Sequence, residues 1–221
     1  MTDDTTYLLA CGCFSPPHLG HLNTWTCAAD EIKKINPNKT ITIIVSPVCD
    51  TYEKSSIKKF TYKKRTELLK KLIATQNKYN IIVSHNNEDQ QHSTADEILL
   101  IEKQYMSKPY LVCACDLMKD ALDQTNGWKL SDNELIEFLE NNTFVVACGN
   151  DNSSIRGYYD LVNKLFETTI KEKKISSKMI SFKVDLQFSE ISSSEIIKSI
   201  MLLQSTIGYT LPDIFNIIQN N

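Results

Sequence analysis

Apolar runs at about 7–13, 40–48, 80–86, 109–115, 143–149 and 179–187 take turns with helix-patterned segments near 20–35, 60–77, 93–105, 132–140, 155–173, 193–204 and 211–219. That alternation is the strongest constraint on the fold. Parallel strands need crossover connections, and helices between apolar strands predict a parallel sheet covered on both faces. The expected class is therefore α/β, a doubly wound parallel sheet. Composition does not shift along the 221 residues, 42% of them hydrophobic, so one domain over 1–221 with one substantial core is expected. Ser131 with Glu134, and Ser192 with Glu195, have capping-box spacing and mark two helix starts. The lysine-rich stretches 54–64 and 171–178 read as solvated connections.

A formal net charge of −3 argues against a general nucleic-acid binder, which normally carries a basic excess. A small anionic substrate needs only a few local cations. The seven cysteines are an odd number, and Cys11, Cys13, Cys113, Cys115 and Cys148 fall in apolar runs where thiols act as small hydrophobes. They read as core filler in a reducing compartment rather than as a four-thiolate metal site. The chain shows neither a charged-then-apolar leader nor an apolar run near 18 residues, so a cytoplasmic or nuclear location is expected, without secretion or a membrane span.

Doubly wound sheets bind ligands outside the carboxyl ends of their strands. Polar, glycine and proline residues collect at four such ends: Gly12 to His21, Ser46 to Asp50, Cys115-Asp116, and Gly149-Asn150-Asp151. The first is the most informative. In Gly12-Cys13-Phe14-Ser15-Pro16-Pro17-His18-Leu19-Gly20-His21, glycine admits close backbone approach and the prolines hold the loop out of helical geometry. The helix that follows offers unpaired N–H groups and a partial positive charge, to which His18 and His21 add donors. This is an arrangement for phosphate. Trp25, one turn past His21, is expected in the core, and His85 and His92 are assigned no role.

The same loop resembles the glycine-aromatic-proline and H-x-G-H signature of the nucleotidylyltransferase superfamily. Six ordered motifs narrow the resemblance: Leu8 to Gly12; Ser46-Pro47-Val48 with Asp50 and Tyr52; Ala114 to Leu117 followed by Trp128; Gly149 to Asp151; Ile191 to Ser194; and Tyr209 to Asp213. Together they are similar to the eukaryotic nicotinamide/nicotinate mononucleotide adenylyltransferases, from position 8 to about 219. The resemblance implies a Rossmann-like nucleotidylyltransferase fold and adenylyl transfer from ATP to the mononucleotide, giving a dinucleotide and pyrophosphate. It implies catalytic roles for His18, His21 and Lys54, and ATP phosphate contacts from Gly12, Cys13, Phe14, Ser192, Ser193, Ser194 and Lys198. The mononucleotide would meet Tyr52, Ala114, Asp116, Asn150 and Trp128, whose indole would stack on the pyridine. Mg²⁺ is expected to accompany ATP without protein ligands of its own. Ser192 as a simple N-cap, Lys54 as a solvated charge, Tyr52 as packing and Asp116 as a turn cap stay open. The last helices, about 191–221, carry the serine motif, and a homo-oligomer also stays open. Two other readings remain: transfer to another phosphate acceptor such as phosphopantetheine, and a degenerate paralogue that binds nucleotide without turnover.

Three departures bear on the site. The family's arginine after the serine motif is replaced by Ile197, with Lys198 one residue on and about 100° around the helix. Lysine there is a point charge and not a planar fork. Ala114 stands where the family has glycine. The aromatic expected after the third strand is absent from Val83-Ser84-His85-Asn86-Asn87.

Overall fold

A computed structural model describes residues 4–51, 60–90, 92–125, 130–149 and 158–184, together with 191, 193, 196 and 197. In chain order the elements are β1 (Thr5–Gly12), α1 (Leu19–Ile35), β2 (Thr40–Pro47), α2 (Tyr62–Ile73), β3 (Asn80–Val83), α3 (Thr94–Tyr105), β4 (Tyr110–Ala114), α4 (Cys115–Asp123), α5 (Asp132–Glu140), β5 (Thr143–Cys148), α6 (Tyr159–Lys173) and β6 (Lys178–Lys183). All neighbouring strands are parallel, in the order β3-β2-β1-β4-β5-β6. The chain order reverses between β1 and β4, which is where a sheet of this kind opens a crevice for a ligand.

Period-two alternation sends each strand's side chains to two cores. Leu8 and Ala10 of β1 join the stripe Leu22, Trp25, Ala29 and Ile32 of α1 and Leu68, Leu69 and Leu72 of α2. Tyr7 and Leu9 point the other way, toward Ile98 and Ile101 of α3, Met118 of α4, Leu139 of α5 and Phe166 of α6. A fully buried leucine or phenylalanine in such a layer contributes roughly 1.5–3 kcal/mol, so these faces fix the register of every strand. Trp25 is core, as expected.

The differences from the sequence reading have local causes. The run at 109–115 is not all strand: Ala114 ends β4 and, with extended φ and ψ, is also the N-cap of α4. Cys115 therefore opens a helix whose buried positions Cys115, Met118, Ala121 and Leu122 follow helical spacing. Cys13 likewise lies beyond β1, so neither C-x-C pair continues as alternating strand. β3 stops at Val83 because the chain turns there: the Ser84 N–H still donates to Val45 O at 2.8 Å, but the Ser84 carbonyl accepts from the Tyr62 hydroxyl at 3.0 Å. The Ser131–Glu134 capping box is formed, whereas Ser192 with Glu195 lies outside the described residues. Among the described residues no helix is long and apolar enough to cross a membrane.

Candidate functional site

The loop between β1 and α1 is organised around Phe14. Its backbone sits at φ 47°, left-handed geometry that an L-residue adopts at a cost, and its ring is buried. That ring fills the room left by Gly12, where an added Cβ would lie 2.9 Å from the ring carbons Cε1 and Cζ. The glycine thus serves ring packing. The edge contacts of Phe14 with His21 (5.2 Å between centroids, 86°) and with Trp25 (5.4 Å, 87°) lock the histidine to the core.

His18 is the N-cap of α1, 1% exposed, and its ring lies 3.7 Å from that of half-buried His21. The His18 backbone N–H donates to His21 Nδ1 at 3.2 Å. With Nδ1 an acceptor, a neutral His21 carries its proton on Nε2. His21 therefore presents its Nε2–H at a helix N-terminus, where the macrodipole favours negative charge.

Arg65 was not legible as a site residue, since Tyr62-Lys63-Lys64-Arg65 reads as a solvated basic helix start. It is fully buried. Its Nη1 donates to Cys13 O at 2.9 Å, its Nη2 to Val48 O at 2.7 Å and to Asp50 Oδ1 at 3.0 Å, and its Nε to Phe60 O at 3.2 Å. Val48 N–H completes the junction by donating to Gly12 O at 3.0 Å. One guanidinium thus joins the loops after β1 and β2 and holds two carbonyl oxygens that would otherwise repel an anion. The missed signal is spacing: Tyr62, Arg65, Thr66, Leu69 and Leu72 form the buried stripe of α2.

Ser193 is brought to this loop from the far end of the chain, its hydroxyl donating to Pro16 O at 2.8 Å. Ile197 of the same segment is buried. Asp116, expected at a strand end, instead sits exposed in the first turn of α4, its Oδ1 accepting the Leu117 N–H at 2.9 Å. Beside it the Cys148 thiol donates to Cys115, and with the Gly149 and Tyr158 N–H groups this brings the Cys115 thiol down to about 7, while burial pushes Cys11 and Cys113 up. Tyr52, Lys54, Trp128, Asn150, Ser192, Ser194 and Lys198 lie outside the described residues.

The stretch lacking the family's aromatic carries a buried polar network instead. Glu97 Oε1 of α3 accepts from Ser84 Oγ at 2.9 Å and Asn86 Nδ2 at 3.1 Å, and Asn87 Nδ2 donates to Ser46 Oγ at 3.0 Å. The Asn87 side-chain oxygen in turn accepts the His92 N–H at 2.7 Å. Sequence reasoning passed over Glu97, although it shares the buried stripe of Ile98 and Ile101.

Among solved structures, the chain is similar to Plasmodium falciparum nicotinic acid mononucleotide adenylyltransferase complexed with NaAD, at 17% identity and a TM-score of 0.68, covering 98% of this chain and 95% of that one. At that identity the likeness is one of fold. Plasmodium falciparum tryptophanyl-tRNA synthetase, with 14% identity, 82% and 50% coverage and a TM-score of 0.34, supports no structural inference. No curated protein matches the chain. The cytidylyltransferase-like family model matches residues 9–199, spanning the H-x-G-H loop, the strand ends and the serine segment just described, and the chain accordingly belongs to the cytidylyltransferase-like family of the nucleotidyltransferase superfamily.

Proposed function

We infer that the protein transfers the adenylyl group of ATP to nicotinamide or nicotinate mononucleotide, releasing pyrophosphate. The observation that carries this reading is the Ser193 hydroxyl on Pro16 O, which sets the serine motif against the H-x-G-H loop, so that two expected phosphate-binding segments converge. The ordered motifs of the sequence and the activity named for the Plasmodium neighbour agree with it.

In the reaction, a 5′-phosphate oxygen of the mononucleotide forms a bond to the α-phosphorus of ATP, and the bond from that phosphorus to the pyrophosphate oxygen breaks. The attacking group is already an anion, so alignment and charge stabilisation do the catalysis and no protein nucleophile is needed. His21 Nε2–H and the first N–H groups of α1 would receive the phosphates, with Lys54, Ser192, Ser194 and Lys198 adding donors. Arg65 keeps the loop carbonyls turned away. Trp128, Tyr52, Ala114, Asp116 and Asn150 would surround the mononucleotide. Mg²⁺ would arrive on the triphosphate; among the described residues no three metal-ligating side chains stand together to hold it.

The test is to incubate the purified chain with ATP, Mg²⁺ and each mononucleotide and to quantify dinucleotide and pyrophosphate. Equal amounts of the two products are expected. Pyrophosphate without dinucleotide, or neither product, would overturn the reading.

A further inference from the structure

The register of the sheet builds a polar row one residue before the phosphate loop. Cys11 pairs with Ser46, and Val45 pairs with Val83, which sets Ser84 beside Ser46. Two residues earlier on each strand, Leu9 and Ile44 face the core under α3, and Ile82 packs against it, so by period two this row faces α3 as well. Glu97 projects from the first turns of α3 onto the row and is 1% exposed. Its Oε1 is satisfied by Ser84 and Asn86, whereas Oε2, equally buried, has no hydrogen-bond partner among the described residues. A buried acceptor left unmade is costly, and each one kept calls for a reason, a functional role at a site among them. The position fits such a ligand: it is at the carboxyl ends of β1, β2 and β3, next to the point where the strand order reverses.

A carboxylate offers only acceptors. A donor suits it, and a second carboxylate set against it is repelled and stripped of water. A mononucleotide whose phosphate lies near His21 can lay its base along the strand ends, toward the row that begins at Cys11. Resting on the adenylyl-transfer reading above, we propose that Glu97 is the specificity-determining residue for the pyridine substituent, its Oε2 accepting the amide N–H of nicotinamide mononucleotide and rejecting the nicotinate form.

The experiment compares parent and Glu97→Gln in kcat/KM for the two mononucleotides. Glutamine keeps an oxygen for Ser84 and Asn86 and replaces the lone acceptor by an N–H donor, so fold and network are retained, which a thermal melt checks. The parent should favour the amide by about tenfold or more, the scale of one hydrogen bond to a charged group. In Glu97→Gln the ratio should fall by a similar factor, through the KM of the mononucleotide and with the KM of ATP unchanged. A parent that prefers nicotinate, a variant that lowers both substrates equally, or a variant that raises only the KM of ATP would each overturn the proposal. If Glu97→Gln does not fold, Glu97→Asp takes its place: drawing the carboxylate back by one methylene should lower the same ratio, and an unchanged ratio would overturn the proposal. Should neither mononucleotide yield dinucleotide, the adenylyl-transfer reading fails by itself, and calorimetric binding of the two mononucleotides to parent and variant still decides whether Glu97 tells them apart.

Discussion

Because the His18 N–H occupies Nδ1 of His21, the helix start itself selects which nitrogen of that ring donates. A donor aimed at charge that redistributes in the transition state is worth more in kcat than in KM. His21→Ala should therefore lower kcat on the order of 10²–10³-fold with a smaller change in KM. Turnover within about threefold of the parent, in protein that melts normally, would contradict this donor role. Arg65→Ala leaves the Cys13 and Val48 carbonyls and the Asp50 carboxylate without their guanidinium. The expected loss is on the order of 3 kcal/mol in a urea titration, and Arg65→Lys should not restore it, since one ammonium cannot reproduce a planar fork with this many partners. A loss below about 1 kcal/mol would show the clamp to be dispensable. The histidines were legible because motif and loop chemistry coincide. Arg65 and Glu97 were not, since each is a charge on a buried helical stripe, and charge alone reads as solvent-facing.

Among the elements, α4 is the one the sequence concealed. Nine residues long and following β4 without a linker, it opens on Cys115, which extends the apolar run of Cys113 and Ala114, and only the spacing of Met118, Ala121 and Leu122 betrays the helix. Its start has a pH signature. The native Cys115 thiol titrates near 7 against an ordinary value of 9.0, so between those values the unfolded chain holds more protons than the folded one. Stability from this group is thus absent below about pH 7 and gained as pH rises toward 9. The difference in melting temperature between the parent and Cys115→Ala should widen in the parent's favour from pH 7 to pH 9. A difference that stays constant would remove the thiolate from the account. The serine segment gives a second prediction at this scale. Ile197 is buried, so Ile197→Arg does not restore the family's arginine but places an unpaired charge in the core. A fall in melting temperature of at least about 2 °C is expected, the shift that roughly 1 kcal/mol gives at this chain length. A variant that melts like the parent and binds ATP more tightly would mean that the side chain reaches the triphosphate after all.

For the molecule as a whole, the alternation of apolar runs and helices was enough to foresee a doubly wound sheet, because each parallel pair demands a crossover. Strand order was not readable, since it depends on which face each crossover packs against. The observed order reverses at β1 and β4, and the H-x-G-H loop, the Arg65 clamp, the Ser193 contact and the Glu97 network all gather at the strand ends beside that reversal. On the proposed reading such a site would align two nucleotides for an in-line displacement at one phosphorus, which separates transfer from simple hydrolysis. The most direct measurement supplies ATP labelled at the α-phosphate together with nicotinamide mononucleotide and follows the label. The account predicts that it passes into the dinucleotide in step with unlabelled pyrophosphate, and recovery of the label as AMP, or its retention in ATP, would contradict it.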